Sequence, residues 1–232
     1  VLPAADGKPW PLSLIVSADP GPEVARLEAL ARRWEGKVRV ASVEAPPLEA
    51  ARIGEVAAQL PRGLDAYFEV PLGADLDARL EAIAACGAGA KVRTGGLSEA
   101  AFPGTGELAR FILGCARVLI PFKATAGLHH AWRGPRPLDT GPGSPQAAMH
   151  GYLNLAIAAA LVHAGRAGLE ETAAVLAETD RRAFSFTAYR IEWRGRGLYP
   201  AELATSQRGF FRSFGACSFD EPARELEESG LA

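Results

Sequence analysis

Hydrophobic positions in the first half of the chain alternate between two patterns. Short apolar runs read as buried strands: Leu12-Ser13-Leu14-Ile15-Val16-Ser17, Val38-Arg39-Val40-Ala41-Ser42-Val43-Glu44, Ala66-Tyr67-Phe68-Glu69-Val70, Ala90–Arg93 and Ile120–Ala124. Between them apolar residues recur at helical spacing, as Val24, Leu27, Leu30, Ala31 and Trp34 do within Glu23–Glu35, which stops at Gly36. Further helices are expected over Leu48–Leu60, opened by Pro46 and Pro47 and ended by Pro61-Arg62-Gly63, over Asp75–Ala85, and through Leu108–Val118. The unit of one strand and one helix repeats at roughly 25–30 residues, the rhythm of a parallel sheet covered by helices.

After His130 the rhythm breaks. Ala131–Gln146 is dense in Gly and Pro and reads as a long loop, functional or mobile. Helices are expected from Ala147 to His163, over Leu169–Glu178 and over Pro200–Phe211, with a closing helix at Glu221–Glu228 capped by Asp220. Phe184-Ser185-Phe186-Thr187 reads as a sixth strand and Phe214-Gly215-Ala216-Cys217-Ser218 as a seventh, with Arg190–Tyr199 a small excursion. The fold expected is a single (β/α)8 barrel domain over residues 1–232 that lacks its first strand; an open seven-stranded α/β barrel is the alternative. The chain begins with Val1 and its only methionine is Met149, so a strand upstream of Val1 would complete the barrel.

Composition narrows the function classes. A net charge of −2 and the lack of a basic run interleaved with aromatics give no reason to expect nucleic acid. The longest apolar run, around Leu153–Val162, is about half the ~20 residues of a membrane span, so no membrane partner is expected. Cys86, Cys115 and Cys217 show neither metal spacing nor a disulfide framework, which makes a reducing cytoplasm the default compartment. No Gly-x-Gly-x-x-Gly follows the first strand, so the dinucleotide fingerprint is missing. Monomer and homo-oligomer both stay open.

Only four of the 25 basic residues are lysine, and two of them, Lys91 and Lys123, stand at corresponding strand ends. A buried lysine can lose its proton and attack a carbonyl; arginine cannot. In a barrel the chemistry sits at the carboxyl ends of the strands. Polar residues there are Asp19, Ser42 and Glu44, Glu69, Lys91 and Arg93, Lys123 and Thr125, Ser185 and Thr187, and Cys217 and Ser218. Residues two apart share a face, so Lys91 pairs with Arg93 and Lys123 with Thr125. Charges inside apolar strands are expensive unless paired. The plain alternative is therefore a buried network in which these cations neutralise Glu44 and Glu69.

Thr94-Gly95-Gly96 and Gly127 let backbone amides approach an anion, or are ordinary turn residues. Gly215–Ser218 ahead of a helix could cradle a phosphate, although Asp220 and Glu221 would repel one. Cys217 is a nucleophile without an identifiable base, or a buried thiol. His129, His130 and His150 flank the long loop. One of them, foremost His130, is a candidate acid or base, with His129 and His150 as substrate contacts. With Glu44 or Glu69 they could hold a divalent metal, but no ligand spacing supports this and no cofactor is expected. His163 reads as core or surface.

Lys91–Gly96, Phe122–His130, Met149–Asn154 and Phe214–Pro222 together resemble a set of uncharacterised bacterial barrel proteins, across most of residues 60–232. The two lysine motifs alone resemble class I aldolases of the deoxyribose-phosphate type, a family with a Schiff-base lysine on one strand and a second lysine on the next. Arg93 stands where that family has a small hydroxyl residue. A partial likeness is to quinolinate-type phosphoribosyltransferases, whose lysine–arginine signature is not matched. The aldolase likeness implies a lyase acting on a small anionic carbonyl compound. Lys123 or Lys91 would be the amine, Glu69 or Glu44 the proton carrier, and Arg93, Thr94, Thr125 and Ser218 would hold substrate. A transferase or isomerase using the cations as anion clamps, and a non-catalytic ligand-binding barrel, are the competing readings.

Overall fold

The strand–helix alternation expected for the first half is what the chain forms. The structure, a computed structural model, describes residues 8–139, 141–216 and 220–230. Strands β1 (Trp10–Ile15), β2 (Val38–Ala45), β3 (Asp65–Glu69), β4 (Gly89–Arg93) and β5 (Phe122–Thr125) alternate with helices α1 (Gly21–Arg33), α2 (Ala50–Ala57), α3 (Leu76–Ala85) and α4 (Thr105–Arg117). There follow β6 (Gly134–Pro137), β7 (Gln146–Met149), α5 (Tyr152–His163), α6 (Leu169–Ala177), β8 (Phe184–Phe186), β9 (Ile191–Trp193), β10 (Arg196–Leu198), α7 (Pro200–Gly209), β11 (Phe211–Phe214) and α8 (Asp220–Glu228).

The parallel sheet has six strands among the described residues, in the order β1-β2-β3-β4-β5-β11. Consecutive strands lie side by side, the winding of a barrel segment and not of a doubly wound sheet. Among the described residues the closed eight-stranded barrel is not formed: the parallel sheet is open, with β1 and β11 at its edges, and has one strand fewer than the open seven-stranded alternative. The Phe184 strand pairs antiparallel with β9, and β9 with β10, in a separate three-stranded sheet. The last sheet strand is Phe211–Phe214, upstream of the expected Phe214–Ser218, and Cys217 and Ser218 lie outside the described residues. The expected loop Ala131–Gln146 holds β6, which pairs antiparallel with β7 in a hairpin. Among the described residues no helix is long and apolar enough to cross a membrane.

The chain divides into two compact units, Val1–Lys91 and Val92–Ala232, with the boundary inside β4. In the first unit, β2 is partly exposed over Val38–Ala41 and buried over Ser42–Ala45, so burial concentrates at the carboxyl end of the strand. Val43, Phe68 and Val70, and the helix residues Ile53, Val56, Leu80 and Ile83, are all buried. Each such aliphatic side chain contributes roughly 1.5–3 kcal/mol by leaving water. The polar residues of β2 and β3 alternate with these apolar ones and occupy the opposite face.

In the second unit Phe122 on β5 is the aromatic hub. Its ring meets Phe111 edge-on at 5.4 Å, Phe210 edge-on at 5.1 Å and Phe211 stacked at 5.1 Å. Helix α5 is buried on nearly every side, which is why its sequence is apolar all round instead of striped. The one polar residue inside it, Asn154, is fully buried and satisfied: its Nδ2 donates to the Val175 and Glu178 carbonyls at 2.9 and 2.8 Å, and its Oδ1 accepts from the Arg133 amide at 3.0 Å.

Candidate functional site

In the first unit three of the expected charges meet. Glu69 and Lys91 are register partners on β3 and β4, and Lys91 Nζ lies 3.0 Å from Glu69 Oε2. The same Nζ lies 3.3 Å from Glu44 Oε2 on β2. Glu44 is fixed from its other side, where Ser13 Oγ donates to Oε1 at 2.7 Å, and Ser42 Oγ donates to Ser13 Oγ at 2.8 Å. A register shift between Leu12 and Ser13 makes this chain of bonds. Leu12 pairs with Val40 but Ser13 pairs with Ser42, so Ala41 is passed over and Ser13 falls in line with Ser42 and Glu44. Bulges of this kind re-aim a side chain. The side chains of Lys91, Glu44 and Glu69 are 7%, 10% and 16% exposed, so their charges act at short range with little screening.

This arrangement can move protons. An ammonium between two carboxylates has two acceptors within hydrogen-bond reach, and the serine relay holds Glu44 in position. It is also a buried ion-pair network, so geometry alone serves both chemistry and structure.

The second unit contains the remaining sites expected from the sequence. Arg93 is exposed, and its side chain makes no bond among the described residues. Thr94 is fully buried; its hydroxyl donates to the Ala126 carbonyl at 2.6 Å and its amide to the Thr125 carbonyl at 2.8 Å. The Thr125 hydroxyl reaches the Val92 carbonyl at 3.5 Å. Both hydroxyls therefore tie the exits of β4 and β5 together. Lys123 is buried on β5. Directly after it the chain turns through two left-handed residues, Ala126 at φ 63° and Gly127 at φ 76°. The alanine costs about 1 kcal/mol there, offset by the Thr94 bond to its carbonyl. A Cβ on Gly127 would stand 2.9 Å from the Gly95 Cα, so this crossing needs glycine.

The three histidines do not converge. His130 Nδ1 meets Glu225 Oε1 on α8 at 2.7 Å, and His129 Nδ1 lies 3.7 Å from Glu221. Glu225 also accepts from the Ala131 amide at 2.7 Å and from Arg136 at 3.3 Å, so it holds the base of the hairpin. His150 is buried beside Arg133, with Nδ1 3.0 Å from the Arg133 Nη1 and Nε2 2.8 Å from the Pro103 carbonyl. Burial first, then the Arg133 charge, lower the His150 pKa to about 4 against the pull of the Pro103 bond. The ring is neutral, with its proton on Nε2. Among the described residues no group of three or more His, Cys, Asp or Glu side chains is placed to hold a metal ion. His163, at the end of α5, stacks on Phe210 at 5.2 Å.

Sequence reasoning missed Ser13, Arg133, Asn154 and Glu225. Ser13 was hidden by the register shift, and Arg133 stood as one arginine of many in a Gly- and Pro-rich stretch. Asn154 left a readable signal: a lone amide inside a long apolar helix must be bonded.

Comparison with family models, with curated proteins and with solved structures finds no match for the chain.

Proposed function

We propose that the chain is an enzyme acting on a small anionic carbonyl compound, a Schiff-base lyase of the class I aldolase type, with Lys91 as the amine. The observation that carries this reading is the contact of Lys91 Nζ with both Glu69, at 3.0 Å, and Glu44, at 3.3 Å. Imine formation needs a proton carrier at the amine. Lys91 passes one proton to Glu69, and the free amine attacks the carbonyl carbon. The carbinolamine hydroxyl takes a proton back and leaves as water, and the protonated imine is the electron sink for cleavage of the adjacent C–C bond. Glu44, held by Ser13, keeps a negative charge beside the iminium as it forms.

Lys123 is the competing amine, and mapping of the modified residue separates the two. The protein is mixed with a panel of small aldehydes, ketones and sugar phosphates, reduced with borohydride, and digested for peptide mass spectrometry. A substrate-dependent adduct on Lys91 is expected, absent in K91R, which keeps the charge but cannot form an imine. An adduct on Lys123 alone moves the chemistry to that residue, and no adduct on any lysine overturns the lyase.

A second reading, a non-catalytic barrel with its charges paired, is favoured by the low exposure of all three side chains. It expects no adduct and a K91R variant whose ligand binding equals that of the wild type.

A further inference from the structure

Arg133, beside the hairpin in the second unit, is a half-buried cation whose only side-chain partner among the described residues is a neutral ring. Buried or half-buried guanidinium groups are ordinarily met by carboxylates. Here no carboxylate does so among the described residues, although Arg136, three residues on, is paired with Glu225. Burial alone moves the Arg133 pKa down, with no acidic neighbour raising it.

The bond to His150 uses Nη1. Nε and Nη2, which form the side-on fork of the guanidinium, make no bond among the described residues, and neither is sealed from solvent as Arg136 Nε is. That fork matches the two oxygens of a carboxylate or phosphate. The support behind it is rigid. His150 Nε2 donates to the Pro103 carbonyl at 2.8 Å, which leaves Nδ1 as the acceptor for Nη1. The Arg133 backbone is fixed by the amide bond to Asn154 Oδ1 at 3.0 Å. A carboxylate in the place of His150 would orient the arginine equally well but would cancel its charge. A neutral imidazole orients it and leaves the charge available.

We propose that Arg133, aimed by His150, is a receptor for a small oxyanion, a carboxylate or phosphate group, taken side-on by Nε and Nη2. The site is independent of the Lys91 chemistry and is made wholly by the second unit.

The test is equilibrium binding of two probes, inorganic phosphate and oxalate, to the full chain, followed by isothermal titration calorimetry and by the fluorescence of the neighbouring Trp132. Binding with a Kd below about 10 mM is expected for at least one probe, and the stronger probe names the oxyanion class. R133M weakens it at least about tenfold and R133K by less, since lysine keeps the charge but loses the fork. H150N, whose side-chain oxygen can still accept from Nη1, binds more tightly than H150F. Circular dichroism establishes that each variant is folded, and R133K carries the test where R133M is not. Two results overturn the proposal: wild-type protein that binds neither probe, or arginine variants that bind like the wild type. Borohydride adducts on lysine report the Lys91 chemistry and the Arg133 variants report oxyanion binding, so the two readings fail separately.

Discussion

Lys91 and Glu69 face each other in register on adjacent parallel strands, and the 3.0 Å contact between Nζ and Oε2 is anchored by backbone pairing rather than by a mobile loop. With Glu44 also at 3.3 Å, the lysine is a cation shared by both carboxylates. Removing it costs more than the pair itself is worth, because buried charge is left behind. K91M is expected to lose about 3–5 kcal/mol of unfolding free energy in urea titrations at pH 7. Adding E44Q and E69Q to K91M should recover most of that loss. If the triple variant is no more stable than K91M, the three side chains are not one network.

His150 gives the protein an acid-sensitive joint. Its pKa in the folded chain is about 4, below the ordinary 6.5, so between those values the unfolded chain binds a proton that the folded chain does not. Stability then rises with pH across this window, is fully present above about pH 6.5, and falls as pH drops toward 4. The shift corresponds to about 3 kcal/mol. H150F should be less stable than wild type at pH 7 but flatter between pH 6.5 and 4. Chemical denaturation at a series of pH values checks this, and an equal slope in both proteins would assign the acid sensitivity elsewhere.

The parts of the fold that the sequence made legible are those governed by local periodicity. Val38–Glu44 and Ala66–Val70 were readable as strands because buried and polar positions alternate within them, and the same alternation placed Glu44, Glu69 and Lys91 on strands near their carboxyl ends. Partner and direction were not readable. Phe184–Phe186 has the apolar run of a sheet strand, but a three-residue run carries no mark of parallel or antiparallel pairing, and it joined β9 instead. Proline at Pro135 and Pro137 argues against a strand, yet both lie in β6, part of a two-stranded hairpin with no further neighbour among the described residues that needs their missing amides. The meeting of Ser13 with Glu44 depended on a register shift that no periodicity encodes.

Gly151 marks a tight backbone crossing in the second unit. It bridges in parallel to His130, while the amides of Tyr152 and Leu153 donate to the His130 and Ala131 carbonyls at 3.0 and 3.1 Å. A Cβ there would stand 2.6 Å from both the Ala131 carbonyl oxygen and the Arg133 amide nitrogen, and would also run into Asn154 Oδ1. Two of these three are backbone atoms and cannot swing aside. G151A is therefore expected to cost about 3 kcal/mol, measured by urea denaturation. Because it displaces Arg133, the same variant should also weaken phosphate binding. A fully stable G151A would mean that the hairpin base can shift freely.

Glu225 offers a separate handle on the hairpin. Its two oxygens accept from His130, Arg136 and the Ala131 amide, and its charge, after burial, helps raise the Tyr152 pKa to about 12. In E225Q the amide keeps one acceptor oxygen but turns an NH2 group toward groups that are themselves donors. The expected loss is about 1–3 kcal/mol. Hydrogen exchange should show it locally, with faster exchange at the β6 and β7 amides and unchanged protection in α4. The Tyr152 pKa, followed by NMR, should fall below about 12 while staying above the ordinary 10, because burial, the larger cause, is untouched. Unchanged Tyr152 titration together with unchanged hairpin exchange would mean that Glu225 holds neither.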